Sequence, residues 1–306
     1  MSPYRTGLVA GLLSYAIWGL VPLFWRLVER AGEVEILAHR VVWSLAFLVV
    51  VLALTTGFRW VRTLPLRTLL QLGAAGVLVT VNWGVFIYAV THDHVVDSAL
   101  GYYINPLVSV ALGVLVLHER LRPRQKWAVG LGAVAVLVMS VEYGQPPWIA
   151  LILAGTFGVY GLVKKQIGVD GVQSLAVETA LLMPLALAYL VVLAGRGDGA
   201  FLTEGAGFAL LLAAGGVVTA LPLMLFGIAA IRVPLSTIGL MQYIAPTMHF
   251  IIGVGVYGED MPPGRIAGFV IVWIALVLLT VDALGALRPR VAARPLRVGP
   301  ATPPEA

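Results

Sequence analysis

Glu35, His39, Arg40 and Trp43 stand close together in an otherwise apolar stretch of the chain. Glu35, His39 and Trp43 fall at i, i+4 and i+8, so in a helix they share one face with Arg40 beside it. An arginine there can meet a substrate carboxylate or phosphate, and His39 can titrate near physiological pH. The competing reading is an interfacial anchor, because Arg40 lies about 8 Å below the start of such a helix, within snorkelling reach. The corresponding region of the other half of the chain holds Glu178. Arg40 and Glu178 together suit a zwitterion such as an amino acid; equally, they can neutralise one another.

A second constellation occurs twice. Tyr103-Ile104-Asn105-Pro106 is followed thirteen residues after the proline by Glu119, and Tyr243-Ile244-Ala245-Pro246 is followed at the same distance by Glu259. Each proline removes an N–H, which would free the carbonyls of Tyr102 and Gln242 from their helical partners. Backbone freed in this way inside a membrane should face a cavity or a neighbouring helix. Asn105 and Gln242 flank the two breaks and can hydrogen-bond a solute, although a kink satisfied by packing alone is the plain alternative. Asn82 and Trp83, with Tyr102, Tyr103, Tyr160 and Tyr243, add the aromatic and amide surface expected of a small-molecule pocket.

Glu119 and Glu259 invite a proton-coupling reading, but both stand at the ends of their apolar spans. There they can accept hydrogen bonds from the N–H groups that open the next helix, from Pro123 and Pro263 onward. With Pro106 and Pro246 they serve as structural markers. The catalytic motifs of enzymes are absent. His118-Glu119-Arg120-Leu121-Arg122 lacks the second histidine of a zinc-protease helix, and no Gly-x-Ser-x-Gly or phosphate loop occurs. There is no cysteine, hence no thiol nucleophile, disulfide or thiolate metal site. No metal, cofactor or catalytic residue is expected.

These residues must be positioned by elements that live in lipid. Hydrophobic residues make up 60% of the chain and charged residues only 11%, with a mean hydropathy of +0.96. A soluble domain of this size carries about 25% charged residues. The net charge of +5 is not gathered into a patch that would suit nucleic acid but falls between apolar runs. A helix needs about 20 apolar residues to cross the hydrocarbon core. Ten spans are expected, near 7–26, 35–56, 69–90, 97–117, 124–142, 147–164, 172–194, 206–229, 234–257 and 263–284. The first is too long for a signal-peptide core and reads as a retained membrane helix.

With a cytoplasmic N-terminus, fifteen lysines and arginines fall on the inside and four (Arg26, Arg30, Arg196 and Arg265) on the outside. The positive-inside rule then places both termini in the cytoplasm. Residues 286–306, rich in Pro, Arg and Ala, read as a disordered cytoplasmic tail.

The duplication extends beyond the proline phrase. Trp18-Gly19 matches Phe157-Gly158, Phe86 and Ala89 match Phe226 and Ala229, and Gly113 matches Gly253. Residues 1–143 and 144–285 thus hold five spans each, and an odd number inverts the second half relative to the first. The expected fold is an all-α integral membrane protein of ten transmembrane helices in two inverted five-helix repeats.

This arrangement resembles the EamA repeat of the drug/metabolite transporter superfamily. Glu35-Ile36-Leu37-Ala38-His39-Arg40-Val41-Val42-Trp43-Ser44, Leu100 to Leu107 and Gly239 to Pro246 are similar to its RarD branch, linked by name to chloramphenicol sensitivity. The chain departs from that pattern at Ala99, Tyr103 and His249. The resemblance implies a central cavity, alternating access and export-like transport of small solutes across the cytoplasmic (inner) membrane. The candidate solute-binding residues are His39, Arg40, Trp43, Asn82, Tyr102, Tyr103, Asn105, Glu178, Gln242 and Tyr243. The expected partners are an amino-acid-like or drug-like amphiphile and the bilayer, with no nucleic acid, and the protein a monomer or homodimer. Two other classes remain open: a membrane-embedded enzyme or lipid-handling protein using His39 and Glu178, and a non-transporting membrane sensor.

Overall fold

The computed structural model describes residues 3–117, 121–167, 169–230, 232 and 241–287. All its regular elements are helical. They run α1 (Pro3–Leu27), α2 (Gly32–Leu54), α3 (Leu66–Thr91), α4 (Val95–Leu117), α5 (Pro123–Tyr143), α6 (Trp148–Ile167) and α7 (Gly171–Arg196). A single turn α8 (Ala200–Thr203) precedes α9 (Ala206–Ala230), α10 (Ile244–Gly255) and α11 (Pro263–Leu287). Among the described residues there is no strand.

Eight of these helices, α1–α5, α7, α9 and α11, are long and apolar enough to cross a membrane. The sixth and ninth expected spans correspond to shorter apolar helices, Trp148–Lys164 within α6 and Ile244–Gly255. The opening residues of the ninth span, Glu119, and the tail from residue 288 lie outside the described residues.

Burial follows the logic of a lipid solvent. Leu54, Val141 and Leu185 are 80%, 83% and 72% exposed, while Ser14, Asn82 and Glu178 are 0%, 1% and 0% exposed. Large aliphatic side chains on the outside and paired polar groups on the inside invert the soluble pattern, as hydrocarbon surroundings require.

Small residues let the helices approach. A Cβ added at Gly216 on α9 would sit 2.3 Å from the Trp43 carbonyl carbon of α2. One added at Gly101 on α4 would sit 2.9 Å from the Ala150 carbonyl oxygen of α6. With little hydrophobic force between helices in lipid, such close backbone contact supplies much of the association energy through dispersion.

The contacts have a repeating plan. α1 packs on α9 as α6 packs on α3, α2 packs on α9 as α7 packs on α3, and α10 packs on α1 as α4 packs on α6. The remaining large interfaces join α2 to α7, α4 to α10 and α5 to α11. Single residues repeat the plan: Gly19 of α1 lies against Met248 of α10, and Gly158 of α6 against Val108 of α4.

The two prolines behave differently. Pro106 lies inside a helix that continues through it. Pro246 stands in the first turn of α10, after a turn at Gln242 and Tyr243. In that first turn the missing N–H has no helical partner to lose. The Gln242 carbonyl is therefore not freed by the proline, as the sequence suggested; the helix simply begins after it.

Candidate functional site

Arg40 lies on the inner face of α2 and is 7% exposed, so it does not snorkel to an interface. Its guanidinium carbon lies 3.8 Å from the ring centroid of Trp83 on α3 and 5.1 Å from that of Trp25 on α1. Tyr102 of α4 is close enough to interact with it electrostatically. Nε and Nη1 are buried without a hydrogen-bond partner among the described residues, and so is the indole Nε1 of Trp25.

The wall around Arg40 is built by side chains that hold one another. Tyr102 donates its hydroxyl to Asn82 Oδ1 at 3.3 Å. Asn82 Nδ2 donates in turn to the Leu153 carbonyl at 2.9 Å and to Thr156 Oγ1 at 3.0 Å, tying α3 to α6. The ring of Tyr102 meets Phe86, Phe157 and His249 at 5.8, 6.2 and 5.8 Å. His249 Nε2 lies 3.0 Å from the Trp18 carbonyl, which assigns its proton to that nitrogen; Nδ1 is buried and unpartnered. Arg40, Asn82 and Tyr102, from three different helices, thus form one site, completed by Trp25, Trp83, Phe86 and His249.

Five of the other expected site residues fall into three separate clusters. His39 and Trp43 do share a face with Glu35: Trp43 Nε1 donates to His39 Nδ1 at 3.3 Å, and His39 Nε2 lies 3.8 Å from Glu35. Their partner is protein, however. Phe201 of α8 stacks on His39 at 4.5 Å, and Glu35 accepts from the N–H groups of Ala200 and Phe201 at 3.1 and 2.9 Å. Tyr103 and Tyr243 stack on each other at 6.5 Å in a cluster with Phe269 and Trp273, and Tyr103 bonds Thr247 Oγ1 at 2.7 Å. Asn105 is buried against Gly158 of α6 with Oδ1 unpartnered, and Gln242 is half-buried in the turn before α10.

Glu178 belongs to the third cluster. It is fully buried on α7 and accepts from Lys164 Nζ at 2.8 Å, Ser174 Oγ at 2.6 Å and Tyr160 OH at 3.1 Å. Lys164 also bonds Ser174. Of the two alternatives for Arg40 and Glu178, the direct pairing does not form, because Lys164 already neutralises that carboxylate. Tyr160 and Lys164 on α6, and Ser174 and Glu178 on α7, are each spaced i, i+4, which is the signal in the sequence for this cluster.

One end of the bundle is sealed. Glu259 accepts from the N–H groups of Val95 and Val96 at 2.5 and 3.0 Å. It therefore caps α4, in the other half of the chain, and not the following helix at Pro263. A carboxylate on the free N–H groups of a helix start is favoured by both hydrogen bonding and the helix dipole. Arg26 of α1 reaches across to the Val90 carbonyl and to Asp93, both at 3.0 Å, and Thr91 donates to Glu33 at 3.1 Å. Arg265 bridges Asp97 at 2.7 Å, and His94 Nδ1 lies 3.1 Å from the same carboxylate.

Its hydrogen bond to Asp97 raises the His94 pKa above the ordinary 6.5, against burial and Arg265, with the Asp97 and Glu259 charges adding to it. A histidine that holds its proton better when folded stabilises fully below its unfolded value, and that stabilisation is lost as pH rises through the folded one. The apparent Tm of the detergent-solubilised protein should thus fall slightly from about pH 6 to 8, and His94→Gln should remove that slope. The ring is 44% exposed, so the effect stays below about 1 kcal/mol.

Residues 5–141 match the EamA-like transporter family. The chain is 55% identical over 287 residues to Protein RarD of Streptomyces exfoliatus, covering 93% of this chain and 91% of that one. It is 42% identical over 281 residues to YojE of Bacillus subtilis, named an uncharacterized transporter, covering 90% and 94%. One solved structure superposes with a TM-score of 0.56 over 92% of this chain and 99% of the other, at 17% identity, a likeness of fold alone.

Proposed function

The chain belongs to the EamA-like transporter family, as a RarD-type multi-pass membrane protein, and from that premise we propose that it is a secondary transporter of small solutes working by alternating access. The observation that carries the proposal is Arg40: a cation buried among Trp25, Trp83 and Tyr102 with no protein counter-ion among the described residues. Burying an ion without a partner costs several kcal/mol, which a fold retains where the group is used.

In this reading the protein has ten spans in two inverted repeats, residues 1–143 and 144–285. The repeated packing plan supports it: the largest helix contacts pair off between equivalent helices of the two repeats. Repeats of that kind permit two alternative arrangements around a fixed site. The helices mix across the repeats, so the mobile bodies are α1, α2, α9 and α10 against α3, α4, α6 and α7. The ends of α1, α2 and α10, joined to those of α3 and α4 by Arg26–Asp93, Glu33–Thr91 and Glu259–Val95, form the closed gate. With the positive-inside orientation this gate faces outward in a cytoplasmic membrane, and the site awaits solute from the cytoplasm, consistent with export. His39 and Glu178 are engaged in separate clusters, which takes away the paired residues of the enzymatic alternative.

Vesicles reconstituted with the purified protein and tested with amino acids, organic acids and chloramphenicol should show saturable flux of at least one solute. Arg40→Gln should reduce that flux about tenfold or more, the loss of one charged contact in a buried site. No flux of any tested solute, with or without a pH gradient, contradicts the proposal.

A further inference from the structure

The central site has a charge balance that narrows what it can carry. The buried acids of the described bundle are each compensated. Glu178 is met by Lys164, Asp97 by Arg265 and Asp282 by Arg122. Glu35 and Glu259 each rest on two backbone N–H groups. Among the described residues Arg40 has no carboxylate within ion-pair distance, and two of its nitrogens have no acceptor. The site is therefore left with one uncompensated positive charge.

The aromatic rings do not cancel it. A desolvated cation–π contact is worth about 2 kcal/mol, against a desolvation penalty of several kcal/mol for the ion. The rings leave Nε and Nη1 without a hydrogen-bond acceptor among the described residues, so their N–H groups remain available to one. Each of these nitrogens shares an edge with Nη2, and either edge can grip a carboxylate with two parallel hydrogen bonds. The buried Nε1 of Trp25, whose ring centroid lies 5.1 Å from the same guanidinium carbon, is a further donor without a partner among the described residues. On the opposite side the ring of Phe86 lies 5.2 Å from His249, and Tyr102 packs against both. These flat faces suit an apolar or aromatic body, with His249 Nδ1 as one acceptor.

We propose that the Arg40 site takes small organic monoanions, a carboxylate carried on an apolar or aromatic body, and discriminates against zwitterions and cations. The inference rests on the transport reading and sharpens it. The amino-acid-like solute suggested by Arg40 and Glu178 together is disfavoured, because both oxygens of Glu178 are occupied by Lys164, Ser174 and Tyr160. An ammonium group would then enter a site that already carries an unbalanced positive charge.

Four probes of one shape separate the cases: phenylacetate, phenylalanine, phenylethylamine and 2-phenylethanol, titrated calorimetrically into the purified full-length protein in detergent. Phenylacetate should bind saturably, and the other three should bind at least about tenfold more weakly, a gap of about 1.4 kcal/mol. Arg40→Gln should weaken phenylacetate binding by a similar factor, and Arg40→Lys should recover part of it, because an ammonium supplies charge without the planar fork. Arg196→Gln, at an exposed helix end, should change nothing. Equal binding of phenylalanine or phenylethylamine overturns the proposal, and so does full phenylacetate affinity in Arg40→Gln or an absence of binding by all four. If Arg40→Gln fails to fold, the charge series on the unaltered protein decides alone. A protein that carries a neutral or zwitterionic solute in vesicles while ignoring phenylacetate refutes the anion reading and leaves the transport reading standing.

Discussion

Lys164→Met is expected to empty the membrane of most folded protein, while Lys164→Met combined with Glu178→Leu restores much of it. Glu178 is fully buried and depends on Lys164 for its counter-charge, with Ser174 and Tyr160 filling its remaining acceptor sites. Removing one member of a buried pair leaves the other ion unneutralised, at a cost of about 3–5 kcal/mol. That is a large share of the 5–15 kcal/mol that roughly holds a domain together. Replacing both members by apolar groups of similar volume removes the desolvation penalty together with the attraction, and is commonly close to neutral. The double-mutant cycle, read by thermal denaturation in detergent, should show a coupling of several kcal/mol. Two additive effects would mean that the two side chains do not depend on each other.

The same pair explains where reading the chain alone went astray. The apolar runs, the proline phrases and the i, i+4, i+8 spacing of Glu35, His39 and Trp43 are local signals, and the helices and the Trp43–His39 bond carry them into the structure. Which carboxylate meets which cation is not local. Arg40 and Glu178 look like complements by position, yet Lys164 is nearer to Glu178 across the short α6–α7 connection. Glu259 presents the same lesson. A carboxylate at a span end reads as a cap for the next helix, but the packing of α10 on α4 brings a different helix start to it. Trp25 and His249 joined the site unannounced, because an aromatic residue in an apolar helix carries no sign of which neighbour it will face. The chain's only hint was that His249 departs from the pattern of the proteins it resembles.

The legible part of the site was its polar nucleus. Arg40, Asn82 and Tyr102 stand out as polar or amphipathic residues in membrane-length apolar sequence, where each carries a cost. Several of the other candidates were drawn by the same cost but satisfy it within the protein: Tyr103 on Thr247, Trp43 on His39, Glu178 on Lys164.

A transporter of this design must open the gate on every cycle, and the gate joins the two bodies through Arg26 and Asp93, whose charged atoms lie 3.0 Å apart. The chain has no cysteine, so a pair introduced there is the sole thiol pair in the protein. Both side chains reach solvent, at 32% and 59% exposure, and so are open to a short, cleavable bifunctional maleimide. The decisive measurement is vesicle flux in Arg26→Cys/Asp93→Cys protein before linking, after linking and after cleaving the linker. Alternating access predicts that linking stops flux of whichever solute the unlinked protein carries, and that cleavage restores it. Flux that continues at the unlinked rate through a fully cross-linked protein contradicts the account.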